Sequence, residues 1–452
     1  MRISFCGATE EVTGSNFLVE VNSAGKTVKF VVDCGLFQGP RETEIKNWNK
    51  LPYNPQEIDF AIATHSHIDH IGRFPLLCKQ DFHGKIYSTK PTAGFAQIFL
   101  EDTCKLMKNT ADDLGQEPLF EQSDVLSAVN LFEPHDYYEV FQPAEGIEIK
   151  FYDAGHILGS AIIEIEAEGK TIIFSGDLGN PPVPVLRDTD FIEKADFVVM
   201  ESTYGDRIHE PSDQRKIRLA QIIEDVVKQN GVLLMPSFAL ERTQEILYEL
   251  NSLFESKKIP QIPVFIDSPL AIKATEIYKK FPEDFDTEAE SQIKSGDDLF
   301  NFPGLKFTPD ANESRQLDQD ASSKIIIAGS GMSNGGRIVF HERRFLPVSS
   351  TVLLIIGYQV TGTMGRMLKD GTHSVRIKGE QVPVAARVEI IDAYSAHADQ
   401  PKLKYWLSKI QGVKKCFIVH GEDKSKRVLS SMIKDEQGVE TVIPKEGEEV
   451  EI

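Results

Sequence analysis

Six consecutive positions in this chain of 452 residues concentrate its chemistry: His65-Ser66-His67-Ile68-Asp69-His70. Three imidazoles and a carboxylate in one short stretch suit a transition metal. Neutral imidazole nitrogen combined with a hard carboxylate oxygen fits Zn²⁺ better than Ca²⁺ or Mg²⁺. The whole chain holds only eleven His, so three at fixed offsets are a remote coincidence, and a solvated His-rich turn is the weaker explanation. Four donors in one turn cannot all reach one ion comfortably. Two ions sharing the cluster is the better expectation, and it requires donors from elsewhere. His156 follows Phe151-Tyr152-Asp153-Ala154-Gly155, Asp177 ends an apolar strand, and His420 ends another, Cys416 to Val419. Each alone would read as an ordinary residue; beside the cluster, all three read as ligands.

The elements that must position these groups are visible as a pattern. The cluster directly follows the strand Phe60 to Thr64. Ser15 to Gly35 and Ser160 to Gly179 form a pseudo-repeat: in each, Lys (26, 170) precedes Asp (33, 177) by seven residues, and Gly (35, 179) follows two later. Each copy reads as a β-hairpin with a Gly-containing turn and alternating apolar residues. Two related halves, each carrying a carboxylate at one sheet rim, imply a sandwich. A helix is expected from about Thr92 to Leu114, with Phe95, Ile98, Phe99, Leu106 and Met107 at helical spacing. From about residue 206 apolar strands (starting at Val232, Val264, Ile325 and Val352) alternate with helices, the signature of a parallel sheet covered on both faces. Ser212 is placed as the cap of a helix ending near Gly231, with Ile217, Leu219, Ile222, Ile223, Val226 and Val227 on its buried side.

Composition narrows the class. Hydrophobic residues are 41% and charged residues 26% of the chain, ordinary globular values. Five scattered Cys with no CxxC argue for a reducing compartment, so a cytoplasmic location is expected. No apolar run approaches the roughly 18 residues of a membrane span, and the N-terminus reads as a strand rather than a signal peptide. A net charge of −20 argues against non-specific coating of nucleic acid, but it leaves room for a nuclease with a locally basic cleft.

The Asp33 strand end, His65-x-His67-x-Asp69-His70, His156 and Asp177 resemble the successive motifs of the metallo-β-lactamase fold. Three further landmarks, Glu201 in Met200-Glu201-Ser202-Thr203, His397 in Ser395-Ala396-His397-Ala398-Asp399, and His420 in Val419-His420-Gly421, resemble the β-CASP nuclease branch. Within it the chain is similar to bacterial RNA-degrading proteins related to the cleavage-and-polyadenylation endonuclease. The resemblance implies an α/β fold: an αββα sandwich (1–205 and a return over 375–452) with an inserted β-CASP domain of parallel-sheet α/β type (206–374). It implies two Zn²⁺, with Mn²⁺ a possible substitute. His65, His67 and His156 would hold one ion and Asp69, His70 and His420 the other. Asp177 would bridge them, and Asp33 would orient ligands. A His at position 420 looks like the RNA-acting type.

The implied function is a metal-dependent ribonuclease using a metal-bridged hydroxide and leaving 5′-phosphate and 3′-hydroxyl ends. Endonuclease or 5′-exonuclease action stays open. His397 is the expected general acid, held protonated by Glu201. Single-stranded RNA is the expected partner, clamped between the sandwich and the insertion; no membrane is expected, and a homo-oligomer is possible. Weaker phosphate-binding candidates are Ser330, Gly331 and Arg337 in a Gly-rich turn, then Arg242, Gln359, Thr363 and Arg366 near other strand ends. The alternatives are a two-zinc hydrolase of small esters or thioesters, a DNA-directed nuclease and, least favoured, a catalytically silent scaffold.

Overall fold

Two hairpins set the frame. Asn16–Ser23 pairs with Lys26–Cys34 across Ala24-Gly25, and Ala161–Ala167 pairs with Lys170–Phe174 across Glu168-Gly169. All four turn residues have positive φ (48°, 81°, 51° and 70°), the type I′ geometry whose twist matches its flanking strands. The pseudo-repeat is thus a repeated turn as well as a repeated spacing. The computed structural model describes residues 1–211, 214–320, 322–357 and 359–452. The expected Ser212 cap lies outside the described residues.

The chain divides into two compact units: Met1–Pro181 with Arg187–Ile208 and His397–Ile452, and Pro182–Leu186 with His209–Ala396. The first unit contains two seven-stranded sheets. One runs Glu449–Glu451, Arg2–Phe5, Asn16–Ser23, Lys26–Cys34, Phe60–Ile62, Lys85–Thr89, Phe132–His135; the other runs Glu440–Val442, Lys415–Ile418, Phe197–Met200, Lys170–Phe174, Ala161–Ala167, Ile147–Asp153, Val140–Ala144. Alternate residues of both sheets meet in one core, among them Phe5, Phe17, Phe30 and Ile62 from the first and Phe151, Ile163, Phe174 and Phe417 from the second. Helices Phe74–Lys79, Lys90–Leu114 and Gln122–Leu131 cover the outer face of the first sheet, and Gln400–Ser408 and Asp423–Gln437 that of the second. This is the expected αββα sandwich, and it exists because each sheet buries one apolar face against the other and one beneath helices.

The long helix starts at Lys90, where the Thr89 hydroxyl accepts from Thr92 N–H and Pro91 occupies the first turn; Gly115 ends it at φ 66°. Leu106 is exposed because the buried stripe runs through Phe95, Phe99, Thr103, Met107 and Ala111.

The second unit is built on a six-stranded parallel sheet, ordered Leu305–Phe307, Val264–Ile266, Lys324–Ala328, Val232–Pro236, Val352–Ile355, Arg387–Ile390. Residues 375–396 therefore belong to this unit and not to the return. Arg387–Ile390 reads as an amphipathic edge strand, and its apolar positions are satisfied by pairing in parallel with Val352–Ile355. Helix Arg215–Lys228 buries Leu219, Ile222, Ile223 and Val226. Ile217, expected among them, is exposed, since it lies about 200° around the helix from Leu219.

Candidate metal centre

The His cluster sits where the strand Phe60–Ile62 ends and a single helical turn, Ile68–Ile71, begins. Loop geometry brings the other donors to it. Gly35 and Gly179, the two repeated glycines, share one physical reason. A Cβ on Gly35 would lie 1.6 Å from the Asp69 carbonyl oxygen, and one on Gly179 would lie 1.9 Å from that of Gly155. Each segment therefore passes hard against a loop carrying a donor: Asp69 and His70 in one case, His156 in the other. Asp33 and His420 have φ of 59° and 50°, conformations costly for non-glycine residues and typical of constrained functional sites. His420 is held there by its N–H donating to Ala8 O at 2.7 Å.

Side chains from four segments of the chain converge. His65 Nε2 and His156 Nε2 lie 3.1 and 3.2 Å from His67 Nδ1. Asp177 Oδ2 lies 3.5 Å from His65 Nε2, 3.6 Å from His156 Nε2 and 3.4 Å from His70 Nε2. His420 Nε2 is 3.3 Å from His70 Nε2 and 3.6 Å from Asp69 Oδ2. Two donor sets follow, His65/His67/His156/Asp177 and Asp69/His70/His420, each with its donor atoms within 4.8 Å of one another. Donors held 2.0–2.1 Å from a tetrahedral zinc sit roughly 3.3 Å apart, which is the spacing found here. Asp177 Oδ1 is buried without a hydrogen-bond partner among the described residues, a costly arrangement unless a cation is its partner. The donor set fits a pair of metal ions.

Protonation agrees. Burial, reinforced by His70, holds His65 well below the usual imidazole range. Burial brings His67 down to about 4. Both are neutral near pH 7, as ligands must be. His70 behaves oppositely: burial pushes its pKa down, but the Asp177 and Asp33 carboxylates outweigh it and hold it well above the usual range. Asp177 is opposed by burial too, yet His420, His70 and His397 keep it well below the carboxylate range.

Around these donors lie groups that aim them. Asp33 Oδ2 is 2.7 Å from His70 Nδ1, leaving Nε2 toward the cluster. Asp33 Oδ1 accepts from Thr64 N–H at 2.8 Å. The Thr64 hydroxyl reaches Asp33, His65 Nδ1 and His70 Nδ1. The Thr203 hydroxyl lies 3.2 Å from His420 Nδ1. Such outer partners fix ring orientation and tautomer. Thr64 and Thr203 were not expected from the sequence; the available signal was a small hydroxyl residue beside a strand end that carries a donor.

Glu201 and His397 complete the pocket; Glu201 also brings a carboxylate oxygen within 4.8 Å of donor atoms of Asp177 and His420. Glu201 is buried, accepting from Leu178 N–H at 2.7 Å and Thr203 N–H at 3.2 Å, and its Oε1 is 3.3 Å from His397 Nδ1. Burial lowers the His397 pKa, but Glu201 and Asp177 raise it further, to about 9. His397 retains 19% side-chain exposure, whereas His65 and His156 have none. A protonated imidazole at the accessible edge of the pocket can hand a proton to something that enters.

The weaker phosphate-binding candidates have partners within the chain. Arg337 donates to Asp267 Oδ1 and to the Thr308 and Pro309 carbonyls. Arg242 is buried against Glu245. The Gln359 amide holds the Gly331 and Gly357 carbonyls, Thr363 caps the helix Met364–Lys369, and Arg366 pairs with Asp370. Gly331 is packed under Phe238, and the Ser330 hydroxyl turns back toward Gly335 O. The Gly-rich loop is a strand-to-helix turn whose polar groups are engaged internally.

Three family models account for most of the chain. A metallo-beta-lactamase superfamily domain matches residues 21–200, a Beta-Casp domain matches 243–368, and a Zn-dependent metallo-hydrolase RNA specificity domain matches 381–444. Among curated proteins, Ribonuclease TTHA0252 of Thermus thermophilus is 35% identical, with 96% of each chain covered. The RNase J-like protein of Methanocaldococcus jannaschii is 31% identical, over 93% of this chain and 92% of that one. Transcription termination factor FttA of Methanosarcina mazei is 28% identical over 98% of this chain and 70% of its own length. A solved Enterococcus faecalis protein of unknown function shares the fold (TM-score 0.55, 13% identity, 99% of both chains). With the donor sets in place and relatives aligned along nearly its full length, the chain belongs to the metallo-β-lactamase superfamily, in its β-CASP zinc-dependent ribonuclease family.

Proposed function

We propose that the protein binds two Zn²⁺ and hydrolyses single-stranded RNA, leaving 5′-phosphate and 3′-hydroxyl ends. The observation that carries this reading is the Asp177 carboxylate, 3.4–3.6 Å from imidazoles of both donor sets, with His397 beside them, its pKa raised to about 9. His65, His67 and His156 would hold one ion; Asp69, His70 and His420 the other; Asp177 would serve both. When bound, such a pair lowers the pKa of water and neutralises phosphoryl oxygens in the transition state.

The remaining steps belong to the chain's own groups. Hydrolysis forms a bond between the phosphorus and a water oxygen and breaks the bond between the phosphorus and O3′. The departing O3′ needs a proton, and His397 carries one. Glu201 fixes the orientation of His397 through Nδ1 and holds it charged, so Nε2 is the atom left to donate. Asp33 and Thr64 keep His70 and His65 aimed into the pocket. Metal ligands that were free to rotate would lose affinity about 10–100-fold.

All five cysteines are free, which supports a cytoplasmic setting. No helix among the described residues is long and apolar enough to cross a membrane.

Digestion of RNA labelled at the 5′ or 3′ end, by zinc-loaded protein at fixed salt, tests the reading. Fragments with 5′-phosphate and 3′-hydroxyl termini are expected, with His397→Ala inactive at full zinc content. Cyclic or 3′-phosphate termini, or loss of zinc in His397→Ala, would overturn the assignment of His397 as proton donor.

A further inference from the structure

The segment Gln400–His420 contains five lysines and no Asp or Glu, in a chain where acidic residues outnumber basic ones 69 to 49. Its helix Gln400–Ser408 starts three residues after His397 and is held to the sandwich by buried Leu403, Trp406 and Leu407. Tyr405 points outward and is 54% exposed. Phe191, 52% exposed, meets it edge-on at 5.6 Å between ring centroids.

These rings are held in place. Trp406 Nε1 donates to Asp190 O at 2.9 Å, fixing the loop that carries Phe191 to the helix. Asp190 in turn accepts from Asp153 N–H at 2.8 Å and from the Tyr138 hydroxyl at 2.9 Å. Lys402 and Lys409 share the Tyr405 face, three residues before it and four after. Lys409 Nζ sits 4.3 Å from the Tyr405 ring centroid. Lys402 Nζ donates to Asn180, the neighbour of Gly179, whose backbone bridges to His397. Lys404, Lys414 and Lys415 pair with Glu436, Asp196 and Glu440.

A line of chemistry therefore leaves the pocket. It runs from His397 past Asn180 and Lys402 to two exposed rings, then to Lys409. Exposed aromatic faces flanked by cations are how proteins hold single-stranded nucleic acid, one base stacking on a ring while lysines neutralise the adjoining phosphates. Lysine is depleted from the cores of protein–protein interfaces, so the same patch suits a protein partner poorly. Tyr405 lies on the order of 8 Å along the helix from its start at Gln400, which follows His397 by three residues, so a strand of a few nucleotides engaged at the pocket is long enough to reach the rings.

We propose that Tyr405 and Phe191, with Lys402 and Lys409, form an accessory platform for single-stranded RNA outside the metal pocket, stacking a base a few nucleotides from the scissile bond. This rests on the reading that the substrate is RNA. It also offers a local answer to a net charge of −20: the segment Gln400–His420 carries no acidic residue of its own.

The test compares wild type, Tyr405→Ala, Tyr405→Phe and Lys409→Gln, all zinc-loaded, on a 20-nucleotide and a 4-nucleotide RNA. Binding of a phosphorothioate 20-mer is measured alongside. For Tyr405→Ala we expect KM for the 20-mer to rise about 5- to 50-fold with little change in kcat, and the 4-mer to be far less affected. Tyr405→Phe, which keeps the ring, should restore the wild-type KM, and Lys409→Gln should flatten the salt dependence of binding. Equal binding by wild type and Tyr405→Ala overturns the platform alone. Equal losses on the 4-mer and 20-mer overturn it too, by making Tyr405 part of the pocket. Normal RNA kinetics together with altered self-association would replace it with a protein interface. Wild type that does not bind the 20-mer overturns both the platform and the functional reading beneath it.

Discussion

Each unit of the molecule buries a cluster of imidazole and carboxylate at the end of its strands, and the two clusters differ in one respect. In the second unit Asp267 follows the strand Val264–Ile266. Its Oδ1 accepts from Thr308 at 2.8 Å and Arg337 at 2.6 Å; its Oδ2 is 2.5 Å from Ser314 Oγ and 2.7 Å from His341 Nε2. His341 Nδ1 is 2.6 Å from Asp318. Both Asp267 oxygens and both His341 ring nitrogens there have protein partners. In the first unit, nitrogen faces nitrogen at 3.1–3.3 Å, and one carboxylate oxygen of Asp177 lacks a hydrogen-bond partner among the described residues. A saturated network locks a fold; an unsaturated one is shaped for something that arrives later. Residue type alone does not separate the two cases, because both contain His, Asp and a hydroxyl residue. Satisfaction of hydrogen-bonding capacity does.

The contrast can be broken most severely at Asp177. Asp177→Ala should lose most bound metal and nearly all RNA hydrolysis while the fold persists, since the substitution removes a buried charge with an unsatisfied oxygen. Circular dichroism with metal analysis checks this, and an Asp177→Ala protein that keeps both ions would make the cluster structural. His397→Ala should lower kcat by about 10²- to 10⁴-fold with metal content intact, as followed by single-turnover RNA cleavage. Thr64→Val should weaken metal affinity by about 10–100-fold, measured by competition with a chelating dye, whereas Thr64→Ser should be close to wild type.

In the saturated cluster the expected losses are in stability. Asp267→Asn should cost about 3–5 kcal/mol, read by chemical denaturation, with metal content unaltered. The smallest effect concerns pH. Burial lowers the His341 pKa, but Asp267 and Asp318 raise it more, to about 9. Its folded pKa therefore exceeds the unfolded value near 6.5. The stability it contributes is complete below about pH 6.5 and lost as pH rises through about 9. Melting temperatures of wild type and His341→Gln should converge on going from pH 6 to pH 9.5; a constant gap would contradict the assigned pairing.

Much of this was legible in the sequence, for physical reasons. The sandwich followed from a repeated hairpin whose Lys, Asp and Gly recur at fixed offsets, because a type I′ turn and a close backbone approach each leave few residue choices. The gathering of His65, His67, Asp69 and His70 was legible because they crowd one turn, and that of His156, Asp177 and His420 because each follows a strand end. What could not be read was satisfaction. Arg337 and Arg242 resemble phosphate ligands until their partners, Asp267 and Glu245, are placed beside them by tertiary packing. Thr64 and Thr203 act only through groups far away in the chain. The strand Arg387–Ile390 is too short and too polar to announce its place at a parallel-sheet edge. Tyr405 and Phe191 are over 200 residues apart, and nothing in either local sequence couples them.

The central claim is that donors distant in sequence form one pocket for a pair of cations. Zinc stoichiometry of metal-depleted, reloaded protein tests it most directly, with wild type, His156→Ala and His420→Ala measured in parallel. The account predicts two ions per chain in wild type and a drop to about one in each variant, with the secondary structure retained. Wild type holding none or one, or either variant still holding two, would contradict it.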